Sequence, residues 1–254
     1  MNGILDQAAL DAFAEHAEIK FEKLATNNAL DKYGIYKDCY DKDSIQKFVH
    51  KGIIRARSHG LASEGEISDY ITLMQVFGYD FDTDPHHQWT HEFINSDEST
   101  YMFGKTIHAI ELGARYQKRI SLDPSELLQR LEKIRNDYKA CNLSNDHIVT
   151  PEHLENTIKS FWPENDLVIL EHIPKKLHEA ALPIMTQHHI TSFCGQISWV
   201  ILSAYYGYGF HHDPVYPDIM NALNNEQTES EKINNILSAF IEKTQCHIKA
   251  GQNT

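Results

Sequence analysis

The sequence lacks a long apolar run, a secretory signal and any clustering of its few cysteines. Its longest apolar runs, such as Ala180–Met185, fall far short of the roughly 20 residues that a membrane-spanning helix needs. The first residues, Met1–Asp6, have neither the basic nor the apolar segment of a secretory signal. The 4 cysteines lie far apart without Cys-x-x-Cys spacing, which predicts isolated reduced thiols. We therefore expect a cytoplasmic protein with no membrane partner.

Basic residues are also few. The 254-residue chain has 23 Lys and Arg against 36 Asp and Glu, so its net charge is −13 at pH 7. Phosphate binding needs a basic surface, and nucleic acid is therefore not an expected partner. An acidic surface attracts and steers a basic protein, although it also simply keeps a protein soluble. Composition leaves a basic protein partner and plain solubility as alternatives.

The motifs of common catalytic and nucleotide-binding sites are missing as well. The chain has no Gly-x-Ser-x-Gly nucleophile elbow, no glycine-rich phosphate loop and no His-Glu-x-x-His zinc motif. Asp80, Asp82 and Asp84 have the alternating spacing that opens a calcium loop. Pro85 and His91, however, stand where that loop needs glycine and glutamate. We therefore expect no calcium site.

One dipeptide keeps a metal enzyme among the alternatives. His212-Asp213 is the His-Asp pair that metal-dependent phosphohydrolases use. A metal site needs three or four converging ligands, and the spacing of the other histidines predicts none. We expect no cofactor, no metal and no enzymatic activity, with a metal-dependent hydrolase as the least favoured hypothesis.

What the sequence does contain is a repeated segment. Residues 78–85, Gly-Tyr-Asp-Phe-Asp-Thr-Asp-Pro, return at 207–214 as Gly-Tyr-Gly-Phe-His-His-Asp-Pro. The repeat predicts two copies of one multi-helix unit, 1–122 and 123–254, packed closely as one helical protein. The shared residues have a structural explanation, because Gly ends one helix with positive φ, Phe anchors the turn, and Asp and Pro begin the next helix.

Almost every segment has the apolar spacing of a helix, which predicts an all-α fold. A first helix at about 7–25 has an apolar stripe made of Leu10, Phe13, Ala17, Phe21 and Leu24. Further helices are expected to begin at Asp43, at Ser63 with Glu66, at Asp84, at Asp213, and near residues 100, 125 and 151. The short run 167–170 is the one strand candidate.

Two segments of the first unit resemble a known family. Gly52–Leu61 reads Gly-Ile-Ile-Arg-Ala-Arg-Ser-His-Gly-Leu, and Phe77–Pro85 is followed by Trp89. In these features the sequence resembles uncharacterised helical proteins encoded in bacterial type VI secretion gene clusters, beside effectors and spike proteins. The resemblance covers about residues 8–95, and the second unit matches only as a degenerate copy. It implies a cytoplasmic accessory of a toxin-delivery system and supplies no catalytic residues.

Two functions fit that context. An immunity protein binds a cognate effector toxin and blocks it, whereas an adaptor or chaperone loads an effector onto the secretion spike. We favour immunity slightly, with a basic toxin or effector encoded nearby as the partner. The expected contact residues lie around the positions where the two copies diverge: Asp80 and Asp82 in the first, and Tyr208, His211 and His212 in the second.

Overall fold

The computed structural model describes residues 7–85, 90, 94, 123–141, 150, 152, 156 and 173–252. All regular elements within these residues are helices, so the predicted all-α class is confirmed. The helices expected near 100 and 151 and the strand candidate 167–170 fall outside the described residues. None of the described helices is long and apolar enough to cross a membrane.

The helices fall into a first half, residues 7–85, and a second half, residues 123–252. The first contains α1 (Gln7–Lys32), a 3₁₀-helix (Gly34–Cys39), α2 (Lys42–Ser58) and α3 (Glu64–Phe77). The second contains α4 (Pro124–Cys141), α5 (Ile173–Gln187), α6 (Phe193–Tyr206), a short 3₁₀-helix (Phe210–His212), α7 (Pro217–Asn224) and α8 (Glu229–Gln252).

Side-chain caps fix where three of these helices begin. Ser63 and Glu66 form the predicted capping box at α3, and Ser192 caps α6 by accepting from the Gly195 N–H at 3.1 Å. The prediction that Asp43 begins α2 is wrong. Asp41 is the cap, because its carboxylate lies three residues before the Ser44 N–H and accepts from it at 2.8 Å.

Each half has its own apolar core. The first core lies between α1, α2 and α3 and contains buried residues such as Phe48, Tyr70 and Phe81. The second lies among α4 to α8 around Trp199 and Phe240. Val215, from the second half, is buried in the first core. This crossing apolar contact means that the halves pack against each other directly.

The apolar stripe of α1 is present but mostly not buried. Of its five members only Phe21 belongs to the core, and α1 buries Ala25 and Ala29 instead. Residues 10–20 are all exposed. α1 packs on α2 and α3, and its buried residues lie between positions 21 and 29.

Cys39 and Cys246 form a disulfide that joins the first 3₁₀-helix to α8 across 207 residues of sequence. Cys194 is disulfide-bonded as well. The prediction of isolated reduced thiols is therefore wrong, since the fold brings together cysteines that are remote in the sequence. Lys243 strengthens the same contact, because its Nζ donates to the Cys39 carbonyl at 2.6 Å and lies 4.4 Å from the Tyr40 ring centroid.

Candidate functional site at the junction of the halves

The repeated segments meet where α3 and α6 end. Gly78 and Gly207 end these helices with φ values of 102° and 88°, as the repeat predicted. A Cβ atom on either glycine would lie 2.7 Å from the Cα atom of the other. Glycine is therefore needed at each position for two reasons: the backbone has a positive φ, and the two backbone segments approach too closely for a side chain.

The Asp-Pro parts of the segments do not both begin helices. The prediction for Asp213 is wrong: α7 begins at Pro217, and the Asp213 carboxylate instead accepts from the Val215 N–H at 2.9 Å within a tight turn. The helix expected after Asp84 lies mostly outside the described residues. The Asp84 carboxylate accepts from the Tyr208 N–H at 3.2 Å, which is a direct hydrogen bond between the halves.

Four of the five predicted contact residues belong to one polar network. His212 Nε2 lies 2.8 Å from Asp80 Oδ2, and His212 Nδ1 lies 2.7 Å from His211 Nε2. Asp82 joins the network through Arg55, which binds both carboxylates. The fifth residue, Tyr208, lies beside the network, and its hydroxyl donates to the Ala180 carbonyl at 2.9 Å.

Arg55 is the central cation of this network and was missed as a site residue. Its guanidinium projects from α2 and donates to Asp80, Asp82 and the Tyr79 carbonyl, the last at 2.8 Å. A signal for it was present in the repeat. At the offset of 129 residues (207 − 78), Arg55 corresponds to Ile184 and Asp82 to His211, so both charges of the ion pair are missing at the corresponding positions of the second half.

Asp82 has all the partners that a buried carboxylate needs. Only 4% of its side chain is exposed, and besides Arg55 it contacts His59 Nε2 at 2.9 Å and accepts from the Tyr70 hydroxyl at 2.7 Å. Burial raises the pKa of the Tyr70 hydroxyl well above its ordinary value, so Tyr70 remains a proton donor. A partner protein can therefore reach Asp82 only if the network opens.

The pKa values of Asp80 and His211 are both lowered, but by different causes. Burial disfavours ionised Asp80, but hydrogen bonds and charge from His212 and Arg55 outweigh it and hold the Asp80 pKa below its ordinary value. Burial, assisted by His212, lowers the pKa of His211 to about 4. At neutral pH, Asp80 is ionised and His211 is neutral.

The geometry of the network is that of a structural ionic junction. Each carboxylate is shared between Arg55 and a histidine, and His212, with 41% of its side chain exposed, is the most accessible member. Among the described residues no group of three or more His, Cys, Asp or Glu side chains could hold a metal. Comparisons with protein-family models, with curated proteins and with solved structures gave no match.

Proposed function

We propose that the protein binds other proteins as a cytoplasmic accessory of a bacterial toxin-delivery system, and that it is an immunity protein that blocks a cognate effector toxin. The exposed part of α1 carries this proposal. Leu10, Phe13 and Ile19 are 47%, 65% and 62% exposed, although they lie on a well-formed helix. Large apolar side chains grouped on one exposed helix are typical of protein interaction surfaces.

Charge supports a basic partner. Glu15 and Glu18 lie among the apolar residues of α1, and the chain as a whole carries a net charge of −13. Such a surface accelerates association with a basic protein at low salt. Together with the resemblance of residues 8–95 to proteins encoded beside secreted effectors, this favours a basic toxin as the partner.

We also infer that the two halves are copies of one helical unit, with boundaries at 1–122 and 123–254. The matched glycines at 78 and 207, and the serine caps that precede α3 and α6 by the same spacing, support this inference. An experimental structure in which residues 43–77 fail to superpose on 173–206 would contradict it.

The cytoplasmic location rests on the resemblance, and the disulfide provides its test. Disulfides are rare in reducing compartments, so alkylation of Cys39 and Cys246 in intact cells should distinguish the alternatives. Rapid labelling of both thiols supports the cytoplasm. Protection of both thiols that is lost only after reduction would place the protein in an oxidising compartment.

The test of function is co-expression with the product of the neighbouring gene. Phe13→Asp should weaken the complex at least tenfold and abolish protection against toxicity, because it places a charge at the most exposed of the three apolar side chains. Ile54→Asp is the control, since Ile54 is 55% exposed on α2 and there too an apolar side chain is replaced by a carboxylate. Binding without protection would indicate an adaptor. Absence of a complex with any neighbouring product would overturn both functions.

A further inference from the structure

A cavity of about 380 Å³ lies between the halves, beside the paired glycines. Its size is within the range of about 300–1,000 Å³ that is usual for small-ligand sites. Both halves contribute to its wall through the end of α3, the end of α6 and the turn at 213–216. Neither half forms the cavity alone.

The cavity contains polar groups that the described residues do not satisfy. Ser203 is fully buried, and its Oγ has no hydrogen-bond partner among the described residues. Asp213 is 5% exposed and accepts one backbone hydrogen bond, from Val215. No described basic side chain forms an ion pair with it. A buried carboxylate normally has a cationic partner. Among the described residues none pairs directly with Asp213, and His212 and Lys51 act on it only through their longer-range charge.

The surroundings of Asp213 favour positive charge in the cavity. Asp84 is a second carboxylate in the wall. Five tyrosines also line it: Tyr33, Tyr40, Tyr205, Tyr206 and Tyr216. Tyr33 and Tyr40 are stacked with ring centroids 3.9 Å apart, and Tyr206 and Tyr216 lie edge to face at 5.8 Å. The faces of such rings attract cations, and Tyr40 already has Lys243 Nζ 4.4 Å from its ring centroid, while Tyr206 is stacked on Phe240.

Thr72 and Gln75 add polar groups to the wall, and the apolar part of the wall suits a short alkyl chain. It includes Phe48, Met74 and Phe77 from the first half and Val215 from the second. Among the described residues of the lining Lys32 is the one cation, and it is exposed on α1 and donates to Thr72 Oγ1. Asp69 interacts electrostatically with Lys32, so the positive charge at this edge is offset.

We propose that the cavity binds a primary ammonium group on a short alkyl chain, supplied by a free amine or by a lysine side chain of a protein partner. Asp213 pairs with the ammonium, Ser203 Oγ accepts one of its hydrogen bonds, and the tyrosine rings and apolar side chains surround the chain. Such a ligand would supply a directly paired counter-charge, which no described residue gives to Asp213. The purified protein alone should bind such an amine, whether or not the protein acts as an immunity protein.

The test is calorimetric titration of the full-length protein with n-butylammonium chloride at pH 8. Because burial raises the pKa of Asp213 to about 7, the carboxylate is ionised at pH 8. We expect a Kd on the order of 1 mM, as ligand efficiency allows for so small a ligand. The uncharged isostere 1-butanol should bind at least tenfold more weakly. An acetylated and amidated Gly-Lys-Gly peptide tests the lysine source in parallel.

Two variants locate the binding. Asp213→Asn keeps the acceptor for the Val215 N–H and should weaken amine binding at least tenfold, and Ser203→Ala should weaken it several-fold. Asp218→Asn is the control, since it removes the same charge from an exposed position outside the cavity. Binding of the amine alone indicates a free ligand, and binding of the peptide alone indicates a partner's lysine. If neither binds, or if Asp213→Asn and Ser203→Ala both bind as wild type does, the proposal is overturned.

Discussion

At the scale of single residues, the junction shows why a buried carboxylate needs a complete set of partners. Asp82 and Asp80 are adjacent members of one network, and Arg55 neutralises both. Asp213 is buried in the same region, but no described cation pairs with it. Burial therefore raises the pKa of Asp213 to about 7, whereas charge and hydrogen bonds hold that of Asp80 below its ordinary value.

Removing one member of the ion pair should be costly. Arg55→Ala leaves Asp82 buried with its charge uncompensated, and we expect it to lower the free energy of unfolding by about 2–4 kcal/mol. Arg57→Ala is the control on the same helix, because its ion pair with Glu18 is about half exposed on both sides. That change should cost about 1 kcal/mol at most. Urea unfolding measures both, and equal losses would contradict a structural role for the network.

Asp213 should also give stability a distinct pH dependence. Its folded-state pKa of about 7 exceeds the value of about 3.9 for an unfolded chain. Between these pH values the folded state holds a proton that the unfolded state releases, so this group lowers stability as pH rises from about 4 to 7. The contribution then stays constant above pH 7.

Comparison with Asp213→Asn isolates this contribution. His211 and His247, whose pKa values burial lowers to about 4, make stability rise with pH over about 4–6.5, but both proteins share that effect. The stability of the variant relative to wild type should increase between pH 4 and 7, by at most about 1.4 kcal/mol per pH unit. Parallel curves from thermal unfolding at six pH values would show that Asp213 does not titrate in this range.

At the scale of elements, two helices end against each other with no space for a side chain. The backbone at Gly78 and the backbone at Gly207 approach so closely that a Cβ atom added to either residue would contact backbone atoms of the other segment. Backbone cannot move aside as a flexible side chain can, so this contact fixes how α3 and α6 are placed relative to each other. The polar network and the cavity both depend on that placement.

Gly78→Ala should therefore destabilise the protein by about 2 kcal/mol or more, from backbone strain at positive φ and from the contact with Gly207. Gly65→Ala is the matched control. Gly65 lies exposed in the same helix with open space around it, and alanine there should stabilise by about 0.5–1 kcal/mol. The two changes should thus shift the urea midpoint in opposite directions. A shift in the same direction would mean that the junction tolerates a side chain.

At the scale of the whole molecule, the disulfide connects the beginning of the fold to its end. Cys39 follows α1, and Cys246 lies in the last helix. Closing a loop of this length strongly restricts the unfolded chain. Val215 adds an apolar contact between the halves, so the two cores are held together by a covalent bond, by polar contacts and by packing.

The double variant Cys39→Ser/Cys246→Ser should lower the free energy of unfolding by about 5 kcal/mol, the value that loop entropy predicts for 207 residues. Substitution is preferable to a reducing agent, because Cys194 is also disulfide-bonded and would be affected. The measurement is urea unfolding under non-reducing conditions. Equal midpoints for variant and wild type would show that the bond is absent from the folded protein.

The sequence alone determined the features that depend on local chemistry. Helical spacing of apolar residues predicted the all-α class, the Ser63–Glu66 box predicted the start of α3, and Gly78 and Gly207 predicted the ends of two helices. These predictions succeed because caps and positive-φ glycines act within a few residues of one another.

Only the tertiary structure decided which remote groups meet. Arg55 forms ion pairs with Asp80 and Asp82, and Cys39 forms a disulfide with Cys246. Asp213 is a buried hydrogen-bond acceptor in a tight turn. The same is true of α1, whose stripe is apolar in sequence but mostly exposed in the fold. Pairing and burial depend on distances in space between residues that are remote in the sequence, and the local spacing of residues along the chain does not determine those distances.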